Sequence, residues 1–192
     1  MVWLAPYRCL GKWEPLTVAL IGDTTLHRLR VAAETARPVN WTPYSGFIVL
    51  AAVEHRNGSV WGGSNIEIAN YSLSKHAEEV AMLTAMHREG RGDLDSSGER
   101  QSRHWLKTLY VAGAAPCGSC RQFAWEWADE STAFVFEHVD QEELQRKPLP
   151  SIKLGPIEEG LLSELLPGAF GPENLGIDEF GRPEHRAKGT RS

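Results

Sequence analysis

Two of the chain's three cysteines stand three residues apart within residues 116–122, which read PCGSCRQ. An apolar run with strand-forming Leu, Tyr and Val precedes them at 105–112 (WLKTLYVA). After them, Phe123, Trp125, Trp127 and Ala128 continue into a helix-like, partly apolar segment. The reading is strand, short turn, helix, with Cys117 and Cys120 at the helix start. Unpaired N–H groups and the positive end of the helix dipole favour thiolates there, and thiolate is the form of sulfur that binds metal. A tetrahedral zinc site needs three protein ligands plus an open position when it is catalytic, or four ligands when it is structural. The third ligand must come from another element. Residues 75–83 (KHAEEVAML) begin a second helix, with Ser74 as candidate N-cap, Val80, Leu83 and Met86 at helical spacing, and His76 and Glu78 on the first turn. If the two helix starts face each other, His76, Cys117 and Cys120 hold zinc with one position open, and Glu78 hangs beside that position. Such a site activates a water and shuttles its proton through a carboxylate. Two other uses of the cysteine pair stay open, as small core residues or as ligands of a structural zinc. Neither requires Pro116, and neither gives Glu78 a task.

The chain that must position these groups has 192 residues and 42% hydrophobic content, enough for one well-buried core and one domain. Its net charge of −5 argues against a broad cationic surface, so nucleic acid is not an expected partner. The first twenty residues scatter Arg8, Lys12 and Glu14 among apolar positions, which is neither a signal peptide nor a membrane span. A cytoplasmic protein with no membrane partner is expected, with Cys9 an incidental thiol outside any disulfide framework.

In chain order, residues 16–21 (LTVALI) read as a short strand or apolar cover. Asp23 or Thr24 caps a packing helix that runs through Leu26, Leu29, Val31 and Ala32 and stops at Pro38. After the break at 43–46, residues 47–53 (FIVLAAV) and Val60-Trp61-Gly62-Gly63 flank Asn57-Gly58, a strong hairpin signal. Asn65 and Glu67 follow, two apart and so facing the same way in an extended segment, where they could grip adjacent hydroxyls. Phe47 is a candidate stacking residue, though core packing is the commoner use of such a side chain. Residues 88–104 read as a polar surface loop, 132–139 as a further strand, 157–166 as a short amphipathic helix and 177–192 as a disordered tail. The division expected is an N-terminal extension with its packing helix (1–43), a zinc domain (44–176) and the tail (177–192).

The spacing H-x-E…P-C-x-x-C is the general signature of zinc deaminases, and the surrounding residues resemble the cytidine deaminase family. Tyr44-Ser45-Gly46-Phe47 is similar to its Y-S-x-F strand and Gly63-Ser64-Asn65-Ile66-Glu67 to its G-x-N-x-E segment. Ala69 and Tyr71, His76-Ala77-Glu78 and the 116–122 motif follow in register, and residues 164–175 (ELLPGAFGPENL) resemble its C-terminal L-L-P-x-x-F-G-P-E-D-L. The resemblance implies a three-layer α/β fold, a mixed five-stranded sheet flanked by helices, with one zinc per subunit on His76, Cys117 and Cys120. It implies Glu78 as proton shuttle and Asn65 and Glu67 on the ribose 3′-hydroxyl. The backbone at Ala77 and Ala115 would contact the base, Phe47 would stack near it, and Phe170 would reach a neighbouring subunit's site. A homotetramer is implied by chain length, with a dimer as the alternative because His76 resembles larger dimeric members.

The activity implied is hydrolytic deamination of cytidine or deoxycytidine in pyrimidine salvage. Departures from the pattern leave a rival open. Glu79 stands where many short-chain members carry Arg, Ile48 and Leu50 replace a Pro and a Gly, and Ile68 replaces an Asn. With one imidazole and two thiolates the zinc site is neutral and needs no compensating Arg. The apolar replacements would suit a deaminase of a modified cytosine nucleoside, such as a nucleoside antibiotic. A polynucleotide deaminase and a non-catalytic zinc-stabilised binding protein are the remaining readings; the charge opposes the first and Glu78 the second.

Overall fold

Five strands of a computed structural model, which describes residues 20–89 and 102–180, form one mixed sheet in the order β2-β1-β3-β4-β5. Strands β1 (Leu50–His55) and β2 (Val60–Ser64) form the hairpin expected around Asn57-Gly58, and Gly58 makes the turn at φ 90°. β1 also pairs antiparallel with β3 (Leu106–Ala112), and β3 runs parallel to β4 (Ala133–Glu137). β3 and β4 are apolar along nearly their whole length because helices cover both faces of the sheet.

The last strand corrects the sequence reading. Residues 157–166 were expected to be helical, yet Ile157–Leu161 is strand β5, antiparallel to β4, and only Leu162–Leu165 is helical (here α5). Ile157 and Leu161 suit either period, and the open edge of β4 offers a paired ladder that a lone short helix lacks. Strand β1 likewise starts later than the apolar run: residues 47–49 lie ahead of it.

Helix α1 (Asp23–Thr35) covers one face of the sheet together with α4 (Gln141–Arg146). Leu29 and Ala33 are buried there with Leu50, Tyr110, Val135 and Leu144. The helix assigned by sequence to an extension before residue 44 is therefore part of the domain core. Its N-cap is Gly22 without a side-chain bond, and Asp23 lies in the first turn, where its charge suits the dipole. α1 is locked by a buried polar cluster. Arg30 Nε lies 3.0 Å from Glu137 Oε2, and Arg30 also donates to the carbonyls of Leu149 and Ile152 at 2.8 Å. The Tyr110 hydroxyl donates to the same Glu137 oxygen.

Helices α2 (Ala77–Glu89) and α3 (Gly118–Trp125) cover the opposite face, over Ala51, Val53, Leu109 and Val111. α2 buries Ala77, Glu78, Ala81, Met82 and Ala85; Leu83, expected inside, is exposed. Small residues let the helix approach the sheet closely, as Gly63 shows: a Cβ there would lie 2.2 Å from Ala81 N and 2.4 Å from Ala77 O. Within the expected 88–104 loop, Arg88 and Glu89 belong to α2. Arg103 is buried, donates to the Glu126 carbonyl at 2.8 Å and pairs with Glu173. Residues 90–101, residues 16–19 of the possible first strand, Cys9 and residues 181–192 of the expected tail lie outside the described residues.

Candidate active site

The two helix starts do face each other. His76 Nδ1 lies 3.2 Å from Cys120 Sγ and 3.4 Å from Cys117 Sγ, and the two sulfurs are 3.6 Å apart. Tetrahedral zinc with ordinary bond lengths spaces its nitrogen and sulfur ligands about 3.5 Å apart and its two sulfurs about 3.8 Å apart. The observed triangle fits that ion with little adjustment, and among the described residues it is the one such group of His, Cys, Asp and Glu side chains. The chemistry of the donors agrees. Burial, with the Glu78 carboxyl beside it, pushes the Cys120 thiol up, so its thiolate requires a cation in contact with it.

Each ligand is placed by a local device. Cys117 is the N-cap of α3, with extended backbone, and its carbonyl accepts the first helical bond from Arg121 N at 3.1 Å. Cys120 sits in the first turn, fully buried. Pro116 is held by the Arg121 side chain, whose Nε donates to the Pro116 carbonyl at 3.1 Å while its Nη1 donates to Leu165 O at 3.1 Å. His76 is one position earlier than the sequence placed it. Its carbonyl accepts from Val80 N at 3.1 Å, which makes it the cap of α2, not a first-turn residue. Ser74 does not cap α2: it closes the preceding short turn, and its hydroxyl accepts from Ile68 N at 3.0 Å. Glu79 reaches back to accept from His76 N at 3.3 Å, the reciprocal half of a capping box. That role was missed in the sequence, although Glu three residues after a cap is its ordinary signal.

Glu78 is buried, with its carboxyl beside Cys120. Burial raises its pKa above the usual carboxylate range, which suits a group that must both take and return a proton. His76 and Cys117 are exposed, so the cluster opens to solvent on one side. Ala115 is exposed just ahead of the cysteines, and Ala77 is buried behind His76.

Asn65 and Glu67 do share a side, and both grip residues 44–49. Asn65 Oδ1 accepts from Asn40 Nδ2 and Val49 N at 2.9 Å each, and its Nδ2 donates to Phe47 O at 2.9 Å. Glu67 Oε2 accepts from Tyr44 N at 2.9 Å and Ser45 N at 3.2 Å, and Oε1 accepts from the Ser45 hydroxyl. These bonds hold the Glu67 carboxyl below the usual carboxylate range. Phe47 is 42% exposed, so it is not a core residue. Ile48 and Leu50 point the other way, into the core beneath α1, and do not line the cysteine face. Phe170 is exposed, with its carbonyl held at 2.6 Å by Gln122 Nε2.

Comparison with known proteins agrees with this geometry. Residues 24–136 match the family model described as the cytidine and deoxycytidylate deaminase zinc-binding region. A cytidine deaminase of Halalkalibacterium halodurans is 34% identical over 144 residues, covering 73% of this chain and 89% of that one. A cytidine deaminase of Sporosarcina psychrophila is 31% identical over 151 residues, covering 78% and 94%. Among solved structures, the cytidine deaminase of Burkholderia pseudomallei superposes with a TM-score of 0.57 at 29% identity, over 75% of this chain and 98% of that one.

Proposed function

The chain belongs to the cytidine deaminase family, and we infer that it is a zinc-dependent hydrolase converting cytidine, deoxycytidine or both to the uracil nucleoside with release of ammonia. The observation that carries this is the meeting of three ligand atoms from two helix starts with a buried carboxyl against one of them. When bound by His76, Cys117 and Cys120, zinc supplies the Lewis acidity that brings the pKa of a water toward neutrality. Glu78 takes the proton of the attacking water and delivers it to N3 of the cytosine ring. Glu78 then takes the remaining proton from the oxygen newly bonded to C4 and gives it to the departing C4 amine, so that the C4–N bond breaks, C4 keeps a carbonyl oxygen, and water and nucleoside become ammonia and the uracil nucleoside.

We assign Asn65 and Glu67 to a sugar hydroxyl. Their capacity unused among the described residues supports this: there Asn65 keeps one N–H on Nδ2, and Glu67 Oε1 keeps one lone pair. One donor beside one acceptor complements a single hydroxyl. Phe47 and the backbone at Ala77 and Ala115 are assigned to the base. Because Ile48 and Leu50 lie on the far face of the sheet, they give no support to a reshaped pocket for a modified nucleoside.

We further propose a homotetramer in which Phe170 reaches a neighbour's site, acting in cytoplasmic pyrimidine salvage. Trp41, Tyr44, Tyr71, Leu73, Phe170 and Leu175 are each exposed, with Tyr44 and Tyr71 edge to face, and a subunit contact that buries them is consistent with this reading. Sedimentation equilibrium decides between tetramer, dimer and monomer.

The test of the reaction is ammonia release by zinc-loaded protein from cytidine, deoxycytidine, cytosine and a nucleoside antibiotic, run beside Glu78→Gln. Turnover of the simple nucleosides, lost by about 10²- to 10⁴-fold in the variant with zinc retained, is expected. Turnover of the antibiotic alone, or an active Glu78→Gln, overturns the assignment.

A further inference from the structure

Residues 46–49 carry Phe47 beyond the β1–β3 ladder, whose pairing begins at Leu50 opposite Ala112. Their backbone groups still need partners, and three side-chain amides provide most of them. On one edge stands Asn65, bonded to Phe47 O and Val49 N. On the other stands Gln141, the first residue of α4. Its Oε1 accepts from Ile48 N at 3.1 Å, and its Nε2 donates to Ile48 O at 2.9 Å and to Gly113 O at 3.4 Å. A primary amide offers the same donor and acceptor as a peptide, so Gln141 pairs with Ile48 as a strand residue would. One turn further on, Gln145 Nε2 donates to Gly46 O at 2.8 Å.

The third partner, Gly113, begins the turn that leads through Ala115 to Cys117. It has φ +99°, and a Cβ there would lie 2.7 Å from Ile48 O and 3.0 Å from Gln141 Nε2. The Phe47 segment, α4 and the turn before the cysteines therefore meet at one point without spare room.

We infer that Gln141 is a positioning residue for nucleoside binding: it sets the separation between Phe47 and the Ala115 backbone, the two groups assigned to the base. The inference rests on the cytosine-nucleoside reading above, in which no part was given to α4. Gln141 bonds to Ile48 and Gly113, not to the groups assigned to metal or base, so its removal acts on KM before kcat.

The experiment compares wild type, Gln141→Leu and Gln141→Glu in the zinc-loaded protein. Zinc content, steady-state kinetics on cytidine, and amide hydrogen exchange resolved at Ile48 are measured for each. Gln141→Leu removes all three bonds; Gln141→Glu retains the acceptor for Ile48 N and sets a carboxylate oxygen against two carbonyls. Expected are an Ile48 amide exchanging at least about tenfold faster in Gln141→Leu, and KM raised about tenfold in both variants. kcat should fall by much less, with one zinc kept per chain. Faster exchange with KM unchanged overturns the positioning role, as does a lower kcat at constant KM, which reports only a smaller folded fraction. Unchanged exchange overturns the clamp itself. If wild type does not turn over cytidine, the substrate reading fails, while the exchange measurement still decides whether Gln141 holds this segment.

Discussion

Substituting Glu137 by Gln should cost more stability than any other single isosteric change on the α1 face of the sheet. Glu137 is fully buried, and one of its carboxylate oxygens takes both the Arg30 guanidinium at 3.0 Å and the Tyr110 hydroxyl. Burial beside this carboxylate holds the Tyr110 phenol far above its ordinary pKa, so Tyr110 stays neutral and remains a donor. Gln keeps the shape and one carbonyl oxygen but removes the charge, leaving the Arg30 cation inside the protein with neutral acceptors alone, that amide and the Leu149 and Ile152 carbonyls. Removing one partner of a buried ion pair costs about 3–5 kcal/mol, and the two remaining carbonyl bonds place this case near 3. At roughly 3 °C per kcal/mol for a chain of this size, Tm should fall by about 9 °C. The assay is thermal unfolding of zinc-loaded protein by circular dichroism, with kcat and KM measured at 20 °C. Catalysis should be unaltered, because this cluster and the metal ligands lie on opposite faces of the sheet. The apolar double variant Arg30→Met with Glu137→Leu should recover only part of the loss: it removes the unpaired charge but leaves the Tyr110 hydroxyl and the Leu149 and Ile152 carbonyls without these partners. A fall in Tm below about 3 °C, or loss of zinc at unchanged Tm, would refute the reasoning.

Changing Glu79 to Ala should lower stability by about 1 kcal/mol and weaken zinc retention against a chelator, whereas Glu79→Gln, which can still accept from His76 N, should behave nearly as wild type. Gly63→Ala should force α2 away from β2, because its Cβ meets Ala81 N at 2.2 Å. A loss of about 3 kcal/mol or more in urea unfolding, or insoluble protein, is expected. Removal of metal by 1,10-phenanthroline should abolish turnover, and stoichiometric Zn²⁺ should restore it; full activity of metal-free protein by atomic absorption would contradict the ligand assignment.

The site was legible where chemistry constrains residue type and spacing together. Cysteines at i and i+3 on a helix start, and a His two residues before a Glu on another, leave few alternatives, and the structure brings the three ligand atoms within 4.8 Å. The sheet's fifth strand was not legible, because Ile157-Glu158-Glu159-Gly160-Leu161 satisfies both periods and only β4, distant information, decides. The buried face of α2 was misread for a related reason. Helical spacing groups Val80, Leu83 and Met86, but the close approach to β2 at Gly63 puts Ala77 and Ala81 beneath the helix with Met82 and Ala85 also buried, so that Leu83 is exposed and Met86 only partly buried against the core. Gln141 carries no motif at all. Its meaning comes from Ile48 and Gly113, 93 and 28 residues away.

The segment that bears Phe47 is tied down by side chains, whereas the metal ligands stand on helices rooted in the core. A strand ladder is written in backbone and cannot be edited by changing one codon. A strand secured by Asn65, Gln141 and Gln145 can be loosened, shifted or re-anchored one substitution at a time. With Phe47 assigned to the base as proposed above, substitution of those three side chains would retune nucleoside acceptance while the zinc ligands keep their places.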